Sequence, residues 1–174
     1  MNLERPFKIL FLCTGNSARS IFGEYLIRRL GKGRFESFSA GANPRSAVNP
    51  YTIRVLEESY QMDASGARPK SWDLYKDVIF DFVVTLCDDA NEQCPFWPGQ
   101  PIIAHWPSPD PGNFKGTDEE TYKHFWQISR QIYRRIDMFS NLPFDKLDRL
   151  RLEHETKKIG SAENELTRTQ HPVG

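Results

Sequence analysis

The chain has 174 residues, of which 39% are hydrophobic, 13% aromatic and 26% charged, a balance that fits one globular domain and excludes a collagen-like chain, a disordered polyampholyte and a membrane bundle. Lys plus Arg and Asp plus Glu each number 23, so the formal net charge is zero. No field of one sign is available to attract nucleic acid or an anionic membrane, and any anion site has to be local. The apolar stretches at 9–13 and 78–87, the second interrupted by Asp81, fall short of the roughly 18 residues of a membrane span, and the first is shorter than a signal-peptide core of about 7–15. Three cysteines in a chain of this size argue against a disulfide framework and for reduced thiols in the cytoplasm.

Phe7 to Leu12 is an apolar run with one Lys, the pattern of a strand buried on both faces of a parallel sheet. After the polar turn 13–20, Ile21, Tyr25, Leu26 and Leu30 fall on one helical face, and Gly31 with Gly33 supplies the stop. Arg34 to Ala40 reads as a second strand, and Asn49-Pro50 opens a helix with apolar positions Ile53, Val55, Leu56 and Tyr60. Ser71 can cap a short helix over 71–75, Phe82 to Leu86 gives a third strand, and Ile102 to Trp106 a fourth. Pro107, Pro109 and Pro111 then force a loop. From Asp118 to Leu142 the apolar positions 122, 125, 126, 132, 133, 136 and 139 trace one face of a long helix. Strands alternating with helices predict an α/β fold with a parallel sheet covered on both faces and ligands at the carboxyl ends of the strands, where Cys13, Cys87 and Asp110 all fall. Residues 145–174 carry six acids and six bases with few large apolar residues. They read as a solvated helix and a frayed tail.

Between Cys13 and Arg19 lie Thr14, Gly15, Asn16, Ser17 and Ala18, and the loop runs from a buried strand straight into a helix N-terminus. Backbone N–H groups at such a turn converge, and the helix dipole adds positive potential, so a tetrahedral oxyanion is held there. The same field favours the thiolate form of a cysteine placed in it. Arg19 supplies a planar fork that grips two anion oxygens at once. Ser20 either caps the helix or donates its hydroxyl to the Cys13 sulfur. Asn16 either tolerates a left-handed turn or braces the loop with its side chain. Cys87 and Cys94 flank a polar segment in which neither thiol reads as core packing. A zinc site is a poor fit, since His105 is the only further candidate within twenty residues. Spare thiols and a redox pair remain as readings.

The sequence Cys-Thr-Gly-Asn-Ser-Ala-Arg-Ser at 13–20 closely resembles the anion loop of the low-molecular-weight protein tyrosine phosphatase family, and the resemblance extends over about residues 6–142. With Cys-x6-Cys-Pro at 87–95 and Asp-Pro at 110–111, the chain is more similar to the arsenate reductase branch. That resemblance implies a three-layer, four-stranded parallel sheet with helices on both sides, a catalytic domain over 1–144 and a polar C-terminal extension over 145–174. It further implies that Cys13 attacks arsenate, that Asp110 protonates the departing oxygen, and that Cys87 and then Cys94 carry a disulfide to thioredoxin or a low-molecular-weight thiol, with no bound cofactor. A plain turn aspartate is the other reading of Asp110. Hydrolysis of phosphomonoesters through a phosphocysteine is the rival function. Gly112 and Asn113 stand where phosphatase relatives place aromatic residues, and Phe114 is displaced. If Cys87 and Cys94 lay on one regular helix they would be roughly 10 Å apart along its axis, beyond the about 7 Å that a disulfide tolerates, so segment 88–93 must be irregular or unwind.

Overall fold

In the computed structural model, which describes residues 4–87 and 97–168, the opening unit is β1 (Phe7–Cys13), a loop, and α1 (Arg19–Leu30). Ile9, Leu10 and Phe11 are completely buried, as a strand with neighbours on both edges and both faces requires. β2 (Phe35–Gly41) pairs with one edge of β1 and β3 (Phe82–Thr85) with the other, and β4 (Ile102–His105) extends the sheet from β3. All pairings are parallel and the order is β2-β1-β3-β4, so the expected four-stranded parallel sheet is present. Every carboxyl end therefore lies at one edge of the sheet, and the register sets Cys13 opposite Gly41.

The pleat of β1 divides the core. Phe7, Ile9 and Phe11 join a large cluster with Ile21, Phe22 and Leu26 of α1, and with Ile132 and Phe139 of α3 (Asp118–Ser140). Leu10 and Leu12 join a smaller cluster with Ala40, Phe80, Val83 and Trp97. Over this second face lies a 3-10 turn, Trp72–Tyr75, whose capping Ser71 hydroxyl accepts from Asp73 N. Asn49 caps α2 (Pro50–Arg54) by accepting from Tyr51 N at 3.0 Å, and the chain continues as a wider π turn, Val55–Ser59, that buries Val55 and Leu56.

Two sequence expectations about helices need correction. Trp126, placed on the apolar face of α3, is 38% exposed, while Ile128 is buried. The buried stripe runs through 125, 128, 132, 136 and 139, and one residue from Phe125 is about 100° around the helix. The second correction concerns α4 (Arg149–Arg168), which is not simply solvated. Leu152 and Thr156 are completely buried, Ile159 nearly so, and Trp106 Nε1 donates to the Thr156 carbonyl at 3.0 Å. A Cβ added to Gly160 would collide with the His105 carbonyl oxygen, so only glycine lets this helix pack so closely on β4. The stripe was hidden because half of it is small or polar. Among the described residues, no helix is long and apolar enough to cross a membrane.

Candidate active site

The loop after β1 is held from beneath by polar groups that are themselves buried. Asn16 has φ 47° and is completely buried, so it both occupies a left-handed conformation and braces the loop. Its Nδ2 donates to Ser20 Oγ at 2.7 Å, and its Oδ1 accepts from the Lys70 backbone N at 2.8 Å. Ser20 Oγ lies 2.9 Å from Cys13 Sγ. Since the serine oxygen already accepts from Asn16, its hydroxyl proton is free to point at sulfur, which suits a sulfur acting as acceptor. Ser20 is not a helix cap, as α1 has no side-chain capping bond. The connection that follows β2 crowds the loop: Asn43 N donates to Thr14 O and Arg45 N to Gly15 O, each at 2.9 Å. A Cβ on Gly41 would lie 2.6 Å from Thr14 O, so glycine is what admits the loop backbone there.

Behind the loop sits a buried ion pair that the sequence did not reveal. Lys70 Nζ is 3.7 Å from Glu24 Oε1 and donates to Ser39 Oγ at 3.2 Å, while Ser39 donates to Glu24 Oε1 at 3.2 Å. Burial pushes the Glu24 carboxyl above its ordinary range and the Lys70 ammonium below its own, and the charge of each partner opposes that shift. The pair fixes the segment whose backbone N–H reaches Asn16.

Arg19 enters from the first turn of α1 and is only 6% exposed. Its Nη1 donates to Ser108 O at 3.1 Å and approaches Leu86 O at 3.4 Å, and its Nη2 stands 3.9 Å from Asp110 Oδ2. The loop carrying Asp110 is pinned elsewhere as well, by Arg135 Nη1 to Pro107 O at 2.7 Å and by Ser108 Oγ to Gln131 at 3.2 Å. Asp110 is a turn residue and a site residue together: Oδ1 accepts from Gly112 N at 2.9 Å while Oδ2 faces Arg19. A cavity of about 310 Å³ opens above the loop, walled among others by Cys13, Thr14, Arg19, Asn43, Arg45 and Asp110. Gly15, Ser17 and Ala18 complete its floor, whereas Asn16 and Ser20 lie beneath. Phe114 stacks on His124 at 4.4 Å and does not line the cavity.

Cys87 differs from the sequence reading, which treated it as an exposed thiol. It is 5% exposed, and its sulfur lies 3.6 Å from Thr14 Oγ1. The apolar run of β3 continues past Leu86 and carries Cys87 in against the anion loop. Cys13 and Cys87 are both unbridged thiols. Cys94 and segment 88–93 lie outside the described residues. Among the described residues, no group of three or more His, Cys, Asp or Glu is arranged to hold a metal ion. Arg45 and Asn43 were missed by motif reading, although they follow β2, and in a parallel sheet that position borders the end of β1.

Residues 8–141 match the low molecular weight phosphotyrosine protein phosphatase family. An arsenate reductase of Oceanobacillus iheyensis is 36% identical over 134 residues, covering 76% of this chain and 94% of the relative. Among solved structures, an arsenate reductase in a phosphate-binding state superposes with a TM-score of 0.63 at 25% identity, over 77% of this chain and 96% of the other. A thioredoxin-dependent arsenate reductase of Corynebacterium glutamicum aligns with a TM-score of 0.53 at 25% identity, over 78% of this chain and 64% of that one.

Proposed function

The chain belongs to the low molecular weight phosphotyrosine protein phosphatase family, and from that membership and its second buried thiol we infer that it reduces arsenate to arsenite. Loop N–H groups and the Arg19 guanidinium hold three oxygens of the oxyanion, and the Cys13 thiolate attacks arsenic. Asp110 donates the proton with which the fourth oxygen departs as water. Cys87 thiolate then attacks Cys13 Sγ. The S–As bond breaks and its electron pair stays on arsenic, so As(V) becomes As(III), arsenite leaves, and two thiols become one disulfide. Cys94 attacks Cys87, frees Cys13, and the resulting Cys87–Cys94 disulfide is reduced from outside by a thioredoxin-type dithiol.

The observation that carries this reading is the 3.6 Å approach of Cys87 Sγ to Thr14 Oγ1, the residue next to Cys13. Phosphomonoester hydrolysis needs the loop, Arg19 and Asp110 and has no use for a thiol there. Cys13→Ser should abolish both arsenate reduction and hydrolysis of 4-nitrophenyl phosphate, because a serine hydroxyl lacks the thiolate's reactivity. Cys87→Ser and Cys94→Ser should each stop multiple-turnover arsenate reduction while aryl-phosphate hydrolysis persists. Normal arsenate turnover by both variants with thioredoxin present would overturn the relay in favour of a phosphatase.

A further inference from the structure

The active-site cavity has a second guanidinium that the relay does not use. Arg45 lies in the connection from β2 to α2, and its backbone N–H is fixed to Gly15 O at 2.9 Å. Its side chain crosses the outer surface of the anion loop: a Cβ added to Gly15 would lie 3.1 Å from both Cγ and Nε of Arg45. The far end reaches the acid loop, since a Cβ on Gly112 would be 3.8 Å from Arg45 Nη2 and 3.2 Å from Asp110 Oδ1. Arg45 thus spans the mouth of the cavity from the loop that holds the anion to the turn that carries the acid. Among the described residues it has no carboxylate oxygen within 4.0 Å. Arg19, by contrast, is buried with two backbone carbonyls and Asp110 about it.

We propose that Arg45 is a specificity-determining residue that selects a bare oxyanion over its organic esters. The proposal rests on the arsenate reductase reading and deepens it. An anion seated on the loop directs its fourth oxygen outward, toward Asp110 and the mouth. In free arsenate or phosphate that oxygen carries charge or a proton and can accept from a guanidinium. In an aryl ester the same oxygen is a neutral bridge bearing a ring, which gains little from the cation and must pass the side chain that spans the exit. The guanidinium therefore favours the substrate whose fourth oxygen is free to accept from it and which carries no ring past the exit. The residue is exposed, so its share is moderated by solvent and falls with salt.

The test is Arg45→Met, which keeps the stem and removes the charge, beside Arg45→Lys, which keeps the charge and loses the fork. Calorimetric binding of inorganic phosphate, the KM for arsenate, and kcat/KM for 4-nitrophenyl phosphate are measured on each. In Arg45→Met, phosphate Kd and arsenate KM should each rise roughly tenfold, the loss expected of one charge-assisted hydrogen bond at a solvent-screened site. Aryl-phosphate kcat/KM should fall by less than about threefold, and Arg45→Lys should recover part of the oxyanion affinity. Phosphate binding unchanged in Arg45→Met, or an equal loss for oxyanion and ester, would overturn the proposal. The phosphate and aryl-phosphate measurements do not depend on arsenate turnover, so failure of the reductase reading, seen as no arsenite from the unaltered protein, is distinguishable from failure of the role given to Arg45.

Discussion

The anion loop at 13–20 and the C-terminal helix α4 are both held tightly, by opposite physics. The loop is built from buried polar groups: Asn16 and Ser20 are completely inaccessible and Arg19 nearly so. Such groups cost free energy unless their hydrogen bonds are made, so the loop is determined by direction, through the line from the Lys70 N–H to Asn16, Ser20 and Cys13. α4 is held instead by burial of Leu152, Thr156 and Ile159 and by the close approach at Gly160. Directional contacts set where a reacting atom sits, whereas apolar burial sets how much free energy keeps an element in place. Substitutions at the side chains that face the cavity above the loop should therefore change rates with little change in stability, and substitutions in the buried stripe of α4 the reverse.

The largest expected effect falls on the chemistry. Asp110→Asn keeps an oxygen to accept from Gly112 N and removes the proton donor, so single-turnover arsenate reduction should slow by about 10²–10⁴-fold, the usual range for general acid catalysis. Its denaturant midpoint should match that of the unaltered protein, and an unaltered rate would reduce Asp110 to the turn residue that its bond to Gly112 also describes.

A smaller effect, on stability, is expected at the other region. Leu152→Ala removes a completely buried side chain and should cost about 2–5 kcal/mol, from lost transfer energy and the cavity left behind. Urea unfolding would show this as a lower midpoint with similar slope, while the single-turnover rate of the folded protein stays within about twofold. The two regions touch through Trp106, whose Nε1 bonds to the Thr156 carbonyl of α4 and whose chain leads into Pro107 and the Asp110 loop. A fall in rate as large as that of Asp110→Asn would erase the contrast and make α4 a support for the acid loop.

These differences also explain what the sequence disclosed. The loop was legible because Cys13, Arg19 and the start of α1 are contiguous, and the strands because β1 and β3 are apolar runs of strand length. The sequence alone allows two roles each for Ser20 and Asn16, since the bond that orients Asn16 toward Ser20 comes from the Lys70 backbone, 54 residues from Asn16. Arg45 was invisible for the same reason: its place at the cavity stems from pairing of β1 with β2, which sets Cys13 beside Gly41. Cys87 was misjudged from the polar sequence on its C-terminal side, although the apolar strand β3 on its N-terminal side decides its burial. α4 escaped because Thr156 and Gly160 carry no hydrophobic signal, yet the first is completely buried and the second admits the closest approach to β4.

The central claim is that Cys87 takes the Cys13 sulfur from arsenic. Its most direct test is a single turnover of Cys94→Ser with arsenate and no reductant, followed by mass spectrometry of the intact protein and its peptides. The account predicts one arsenite released per protein molecule, a protein lighter by two hydrogens, and a disulfide joining the Cys13 and Cys87 peptides. Arsenite released while both thiols remain free, or a disulfide that excludes Cys13, would contradict it.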